Sequence, residues 1–229
     1  MNDPLVGPLL VIGAHPDDTE FGAGGTIAAF RQRDQEVHYV VCTDGSKGTK
    51  DRTAQPLDLV ATREREQQAA ADLLGVKSVT FLRQVDGELQ PTMACRTALA
   101  RVIRRVRPRV MITHDPWRLY QLHPDHRAAG FLSTDAFVAA RDHLYAPELL
   151  VEEGLEPYDV PEIWFYAPAE VDFFVDISGS LERKIEAVRC HTSQLRDPAG
   201  IADRMRSRAG EVGARHGVPY AEEFKRLKI

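Results

Sequence analysis

Short apolar runs separated by longer stretches of helical periodicity restrict the architectures open to this chain more than any other feature. The runs cover residues 9–14, 37–43, 79–82 and 110–113, with later ones at 164–166 and 173–177. Between and after them, residues 19–32, 59–74, 97–106, 124–144 and 181–191 read as helices. Gly75 stands just past the second helix and Pro108 just past the third, both common stop signals, and Pro124 opens the fourth where a missing N–H costs nothing. Strand and helix alternating at this spacing imply parallel pairing through right-handed crossovers. The expected fold class is α/β: a Rossmann-like three-layer arrangement, with a mostly parallel sheet and helices on both faces. The stretch from residue 200 onward reads as mostly helical. Residues 146–161, richer in Pro, Gly and Glu, read as a mobile loop and not as a boundary, so residues 1–229 are expected to form a single domain.

Composition excludes several classes of function. With 43% hydrophobic residues the chain can bury a sizeable core, and a net charge of −5 offers no surface for polyanions, so nucleic acid is not an expected partner. The basic residues between 101 and 109 alternate with apolar ones at helical spacing and read as the solvated face of a helix. Cys42, Cys95 and Cys190 are far apart and odd in number, which argues against a disulfide framework or a Cys-rich zinc site and fits a reducing, cytoplasmic setting. The first apolar run is short, is preceded by Pro8 and ends in charged residues. It reads as a strand and not as a leader or a membrane span.

In parallel sheets of this kind ligands bind at the carboxyl ends of the strands. That rule brings together His15-Pro16-Asp17-Asp18 after the first run, Asp44 after the second and His114-Asp115 after the fourth. A second cluster, His123-Pro124-Asp125-His126, repeats the chemistry of the first at the start of a helix. Either cluster alone is a common helix-start sequence, but two in one chain are not easily structural filler. Catalytic zinc takes His nitrogen and carboxylate oxygen and keeps one position for water. A tight turn can aim His15 and Asp18 at one point, and His126, on the first turn of a helix, is the natural third ligand. Asp17, beside the ligands but not bound, could take a proton from the water. His123 could polarise a carbonyl, hold an oxyanion or protonate a leaving amine, with Asp125 orienting it. The same donors also suit Fe2+.

The stretch His15-Pro16-Asp17-Asp18-Thr19-Glu20 with Gly22, Gly24 and Gly25, followed by His123-Pro124-Asp125-His126, resembles the LmbE-like (PIG-L) deacetylase family. Thr43-Asp44-Gly45, Arg63 and Glu66 before Leu74-Gly75, Asp86-Gly87 with Leu89, and His191 with Ser193-Gln194 extend the likeness over most of the chain. The resemblance implies a zinc-dependent enzyme that removes acetyl from N-acetylglucosamine units of small-molecule conjugates. It implies His15, Asp18 and His126 as ligands, Asp17 as general base, and His123 as oxyanion stabiliser or acid tuned by Asp125. It also implies that Arg63 and Asp86 grip substrate hydroxyls, that specificity lies in loops such as 146–161, and that the protein is a homo-oligomer, trimeric or hexameric. Gln121 stands where some relatives carry a Tyr that assists the oxyanion. Two other readings compete. One is an amidase of the same fold acting on another acyl amide, such as a thiol conjugate or an antibiotic side chain. The other is a sugar-binding protein with a vestigial site, disfavoured because every expected ligand and Asp17 are present.

Taken from the residues alone, the remaining signals are weaker. Residues 63–66 (Arg-Glu-Arg-Glu) read as a solvated helix face, and Asp86-Gly87 as a turn as readily as a site. Gly22-Ala23-Gly24-Gly25 lacks the last glycine of a dinucleotide loop and reads as close packing of helix on sheet. Trp117 and Tyr120 could stack on a sugar or simply pack their loop, and His191 could be a satisfied buried histidine or support the site.

Overall fold

The computed structural model describes residues 5–229. Its parallel strands are β1 (Leu9–Gly13), β2 (Val37–Thr43), β3 (Ser78–Gln84), β4 (Val110–His114) and β5 (Glu162–Tyr166), with β6 (Phe173–Asp176) and β7 (Ala221–Lys228) at one side. The helices are α1 (Asp18–Arg31), α2 (Pro56–Leu74), α3 (Met93–Val106), α4 (Pro124–Arg141), α5 (Pro147–Val151), α6 (Leu181–Arg189) and α7 (Ile201–His216). The strands form one sheet in the order β3-β2-β1-β4-β5-β7-β6, with β1, β2, β3, β4 and β5 parallel and β7 antiparallel to both its neighbours. From β1 the chain winds outward to β2 and β3, then crosses back to β4 and winds the other way. The loops after β1 and β4 therefore part and leave a crevice between them.

The sheet is covered on both faces. Leu9 and Val11 of β1 join α1, α2, α6 and α7 in one core cluster, and Leu10 and Ile12 join α3 and α4 in the other. This explains why β1 is apolar without alternation: neither face sees water. The glycine-rich start of α1 is a packing device, as expected. A Cβ on Gly22 would stand 2.7 Å from the Tyr166 ring, and one on Gly25 2.7 Å from Ile177.

Three expectations are corrected. The C-terminal stretch is helical only as far as His216. Residues 221–228 form β7, which inserts between β5 and β6. Five of its eight residues are charged, so no apolar run marks it. Its charges are used internally instead. Glu222 accepts from the peptides of Gly25 (2.9 Å) and Thr26 (2.8 Å), where α1 is broken at Ala23, and pairs with Lys184 at 2.5 Å. Second, Arg104 is buried, not on a solvated face. Its guanidinium donates to the carbonyls of Ala139, Ala140, Asp142 and Leu155, closing the end of α4 at Arg141 instead of 144. Third, residues 146–161 join the end of α4 to the start of β5, at the opposite edge of the sheet from the crevice. Ala146, Leu149 and Val160 are anchored in the core there, and Tyr158 donates to the Pro108 carbonyl at 3.1 Å. That segment therefore does not line the site, and the expectation that it sets specificity is not met.

Candidate metal centre

The crevice after β1 and β4 collects the polar residues that the sequence sends to this edge. β1 ends at Gly13, and the chain turns so that the His15 peptide N–H donates to Asp18 at 2.7 Å. The turn brings His15 Nδ1 to 3.3 Å from Asp18 Oδ2. From the start of α4, His126 Nε2 comes to 3.4 Å from Asp18 Oδ1. Asp18 thus stands 3.3 Å from His15 and 3.4 Å from His126, through a different oxygen for each, close to the separation of about 3.4 Å between donors on a tetrahedral zinc. The donor atoms of His15, His123 and His126 lie within 4.8 Å of one another, as do those of Asp18, His114 and His126.

The electrostatics fit a cation as well. Burial alone would depress the His15 pKa, but Asp125, Asp18 and Asp86 around it push it up to about 12. Burial opposes ionisation of Asp18, yet His114, His126 and His15 hold its carboxyl well below the usual range. The acidic groups of this pocket thus favour positive charge at its centre.

Asp125 and Asp86 are not where the sequence reading put them. Asp125, fully buried, has its Oδ2 at 3.0 Å from His15 Nε2 and accepts from the peptides of Gly87 (2.6 Å) and Leu89 (3.2 Å). Its carboxylate therefore orients His15 and not His123. In a ring that gave up its Nδ1 proton to a metal, that carboxylate would keep the other proton on Nε2. Asp86 Oδ1 lies 3.2 Å from the same Nε2, and Oδ2 accepts from Lys47 N at 3.0 Å. Asp44 in turn fixes that turn by accepting from Asp86 N at 3.1 Å. His123 is the N-cap of α4; its Nδ1 accepts from Asp125 N at 3.3 Å, which leaves Nε2 to carry the proton. The ring meets His15 edge-on at 4.5 Å, and burial followed by His15 and His126 pushes its pKa down, toward the neutral form.

Asp17 is unusual in its backbone. It has φ 103°, a left-handed conformation that costs a non-glycine residue on the order of 1–3 kcal/mol. Gln67 accepts its peptide N–H at 2.9 Å, and Arg63 donates to the Pro16 carbonyl at 2.6 Å and to Asp17 Oδ2 at 3.3 Å. Burial, then Asp18, push the Asp17 pKa up to about 7 against the pull of Arg63. Arg63 is itself buried, with a further bond to the Gly45 carbonyl, so it is spent on the turn. The solvated-face reading of residues 63–66 holds for Arg65 and for the half-buried Glu64, which pairs with Arg83; Arg63 and Glu66 are buried, and Glu66 grips Thr192 and Ser193.

Some contributors carry no sequence signal of a task. His114 is buried with Nε2 3.2 Å from Asp18 Oδ2 and stacks on His126 at 4.2 Å. The sequence brings it to this edge but assigns it nothing. Asp115, its neighbour, holds the peptides of Trp117 and Ala169 and stays out of the centre. Trp117 packs edge-on against Phe131 and Phe165, while Tyr120 is exposed.

The arrangement has known counterparts. The PIG-L family profile, described as GlcNAc-PI de-N-acetylase, matches residues 10–137. This chain belongs to the PIG-L family. A diacetylchitobiose deacetylase of Thermococcus kodakarensis is 39% identical over 232 residues, covering 98% of this chain and 85% of its own. A 1D-myo-inositol 2-acetamido-2-deoxy-alpha-D-glucopyranoside deacetylase of Mycolicibacterium smegmatis is 32% identical, covering 82% and 80%. Among solved structures, the N,N'-diacetylchitobiose deacetylase of Pyrococcus horikoshii superposes with a TM-score of 0.90 at 34% identity, covering 96% of this chain and 84% of its own. The PIG-L protein described here is thus a hydrolytic N-deacetylase with the three-layer α/β fold of its relatives.

Proposed function

We propose that this PIG-L protein removes acetyl from an N-acetylated amino sugar, an N-acetylglucosamine-type conjugate, at a zinc centre held by His15, Asp18 and His126. The observation that carries the reading is the convergence of those three donors beside a carboxylate, Asp17, that binds none of them and has its pKa raised to about 7. Zinc held by His15, Asp18 and His126 would supply a Lewis acid there and favour deprotonation of the attacking water. Asp17 accepts the proton that the attacking water gives up and passes it to the amine nitrogen as the C–N bond breaks, leaving acetate and a free amine. His123 directs Nε2–H at the carbonyl oxygen as charge develops there. Asp125 and Asp86 hold the His15 ring, and His114 steadies Asp18. Fe2+ suits the same donors.

The substrate reading draws on the deacetylase relatives. A second reading, an amidase for another acyl amide, is favoured by one observation: Arg63 and Asp86, expected to grip the sugar, are buried and engaged with the chain itself. We further take the chain to act as one domain, as a homo-oligomer, and in the cytoplasm; its described cysteines are all free, and no described helix is long and apolar enough to cross a membrane. The test joins metal analysis to acetate release from N-acetylglucosaminides and from unrelated acetamides. About one divalent ion per chain is expected, lost together with activity on Ala substitution at His15, Asp18 or His126. Full occupancy in His126→Ala would remove that residue from the ligand set. Metal-replete enzyme that cleaves only non-sugar amides would establish the second reading.

A further inference from the structure

Behind Asp17 lies a fully buried polar chain that the chemistry above does not use. Gln67 accepts the Asp17 peptide N–H through Oε1 at 2.9 Å, and its Nε2 donates to Glu20 Oε1 at 2.9 Å. The other oxygen of Glu20 accepts from Thr19 Oγ1 at 2.9 Å and meets His191 Nε2 at 3.1 Å. Gln67, Glu20 and His191 are all 0% exposed. His191 is set in place by α2, because Glu66 accepts from Thr192 Oγ1 at 2.7 Å and Ser193 N at 2.8 Å.

We infer that Gln67, directed by Glu20 and His191, is a positioning residue that holds the base Asp17 in its left-handed conformation. An amide has one accepting and one donating end, and either could face the Asp17 N–H. A carboxylate at Glu20 only accepts, so it captures the NH2 end of Gln67 and leaves the oxygen for Asp17. A flipped amide would set donor against donor at Asp17 and oxygen against oxygen at Glu20. His191 and Thr19 occupy the second Glu20 oxygen, so the carboxylate cannot swing away. Arg63, one turn before Gln67 on the same face of α2, holds the Pro16 carbonyl and the Asp17 carboxylate. One helix thereby grips both sides of the strained residue. Without the Gln67 bond, the peptide before Asp17 loses the one partner that the turn gives its N–H, and the side chain relaxes away from the reacting water.

The inference rests on Asp17 being the base, and a double-mutant cycle separates the two. Gln67→Met keeps the volume and removes the hydrogen bond. In metal-replete enzyme, metal content and KM should match the parent while kcat falls roughly tenfold to hundredfold, the usual effect of loosening a support to a working group. In an Asp17→Asn background the same change should alter kcat by no more than about twofold, since it acts only through the Asp17 carboxylate. A full further loss in that background, an unchanged kcat in Gln67→Met alone, or loss of metal would each overturn the positioning role while leaving the base reading intact. Unchanged turnover in Asp17→Asn alone would overturn the base reading, and the positioning role with it. Should Gln67→Met fail to fold, Gln67→Ala, which adds no bulk, runs through the same cycle.

Discussion

Replacing Asp125 with Asn asks whether this carboxylate serves His15 or His123. Three donors converge on its two oxygens: Gly87 N at 2.6 Å and His15 Nε2 at 3.0 Å on Oδ2, and Leu89 N at 3.2 Å on Oδ1. The residue is fully buried, so no water replaces a lost partner. Asn keeps the shape but has one oxygen, and its NH2 must face at least one of those donors. The loss is one charge-assisted hydrogen bond, about 1.5–3 kcal/mol, plus one unpaired buried donor, about 1–3 kcal/mol. A total near 4 kcal/mol should lower the Tm of the metal-free protein by roughly 10 °C for a chain of this size. The His15 ring loses one of the two carboxylates that fix its proton on Nε2, so zinc affinity should fall roughly tenfold to hundredfold. Calorimetry on metal-free protein and competition with a chromophoric chelator read the two effects separately. If metal affinity is unchanged while turnover falls, Asp125 works through His123, and the role assigned to it from the geometry is refuted.

Further outcomes follow from the same contacts. Asp17→Asn should retain metal and lose roughly a hundredfold or more in kcat. Because Asp17 must be ionised to act and burial raises its pKa above the usual carboxylate value, kcat should fall on the acid side, and this acidic limb should vanish in the variant. In the metal-free protein the folded state keeps a proton on Asp17 that the unfolded chain releases, so that group's contribution to stability declines as pH rises from about 4 toward 7, as melts across that range would register. Asp86→Ala should weaken turnover of an N-acetylglucosaminide and of a small acetamide to the same degree, since Asp86 supports His15; a loss confined to the sugar would restore it to substrate recognition. Glu222→Ala strands the Lys184 ammonium and the Gly25 and Thr26 peptides and should cost about 3–5 kcal/mol in urea unfolding, with less than about 1 kcal/mol counting against the buried network.

What the order of residues determined by itself is the part governed by local rules. Apolar runs without alternation announced strands covered on both faces, glycine and proline marked the helix ends, and strand-end polar residues pointed to one edge of a parallel sheet. His15, Asp17, Asp18, His123 and His126 were nameable because their chemistry is rare and their spacing short. Tertiary structure decided everything that depends on which distant side chains meet. β7 is invisible as a strand because its charges are satisfied by Lys184, Glu162 and a break in α1, all brought to it by folding. Residues 146–161 look like any surface loop until the strand order sends them to the edge away from the crevice. Asp125 turns from its sequence neighbour His123 to His15, because a carboxylate at the start of a helix points where the β3–α3 loop supplies peptide donors. Gln67 carries no signal in the sequence, and Glu20 none beyond its place in the stretch that opens α1. Only packing α2 against α1 buries both, and once water is excluded they bond to each other, His191, Thr19 and the strained peptide of Asp17.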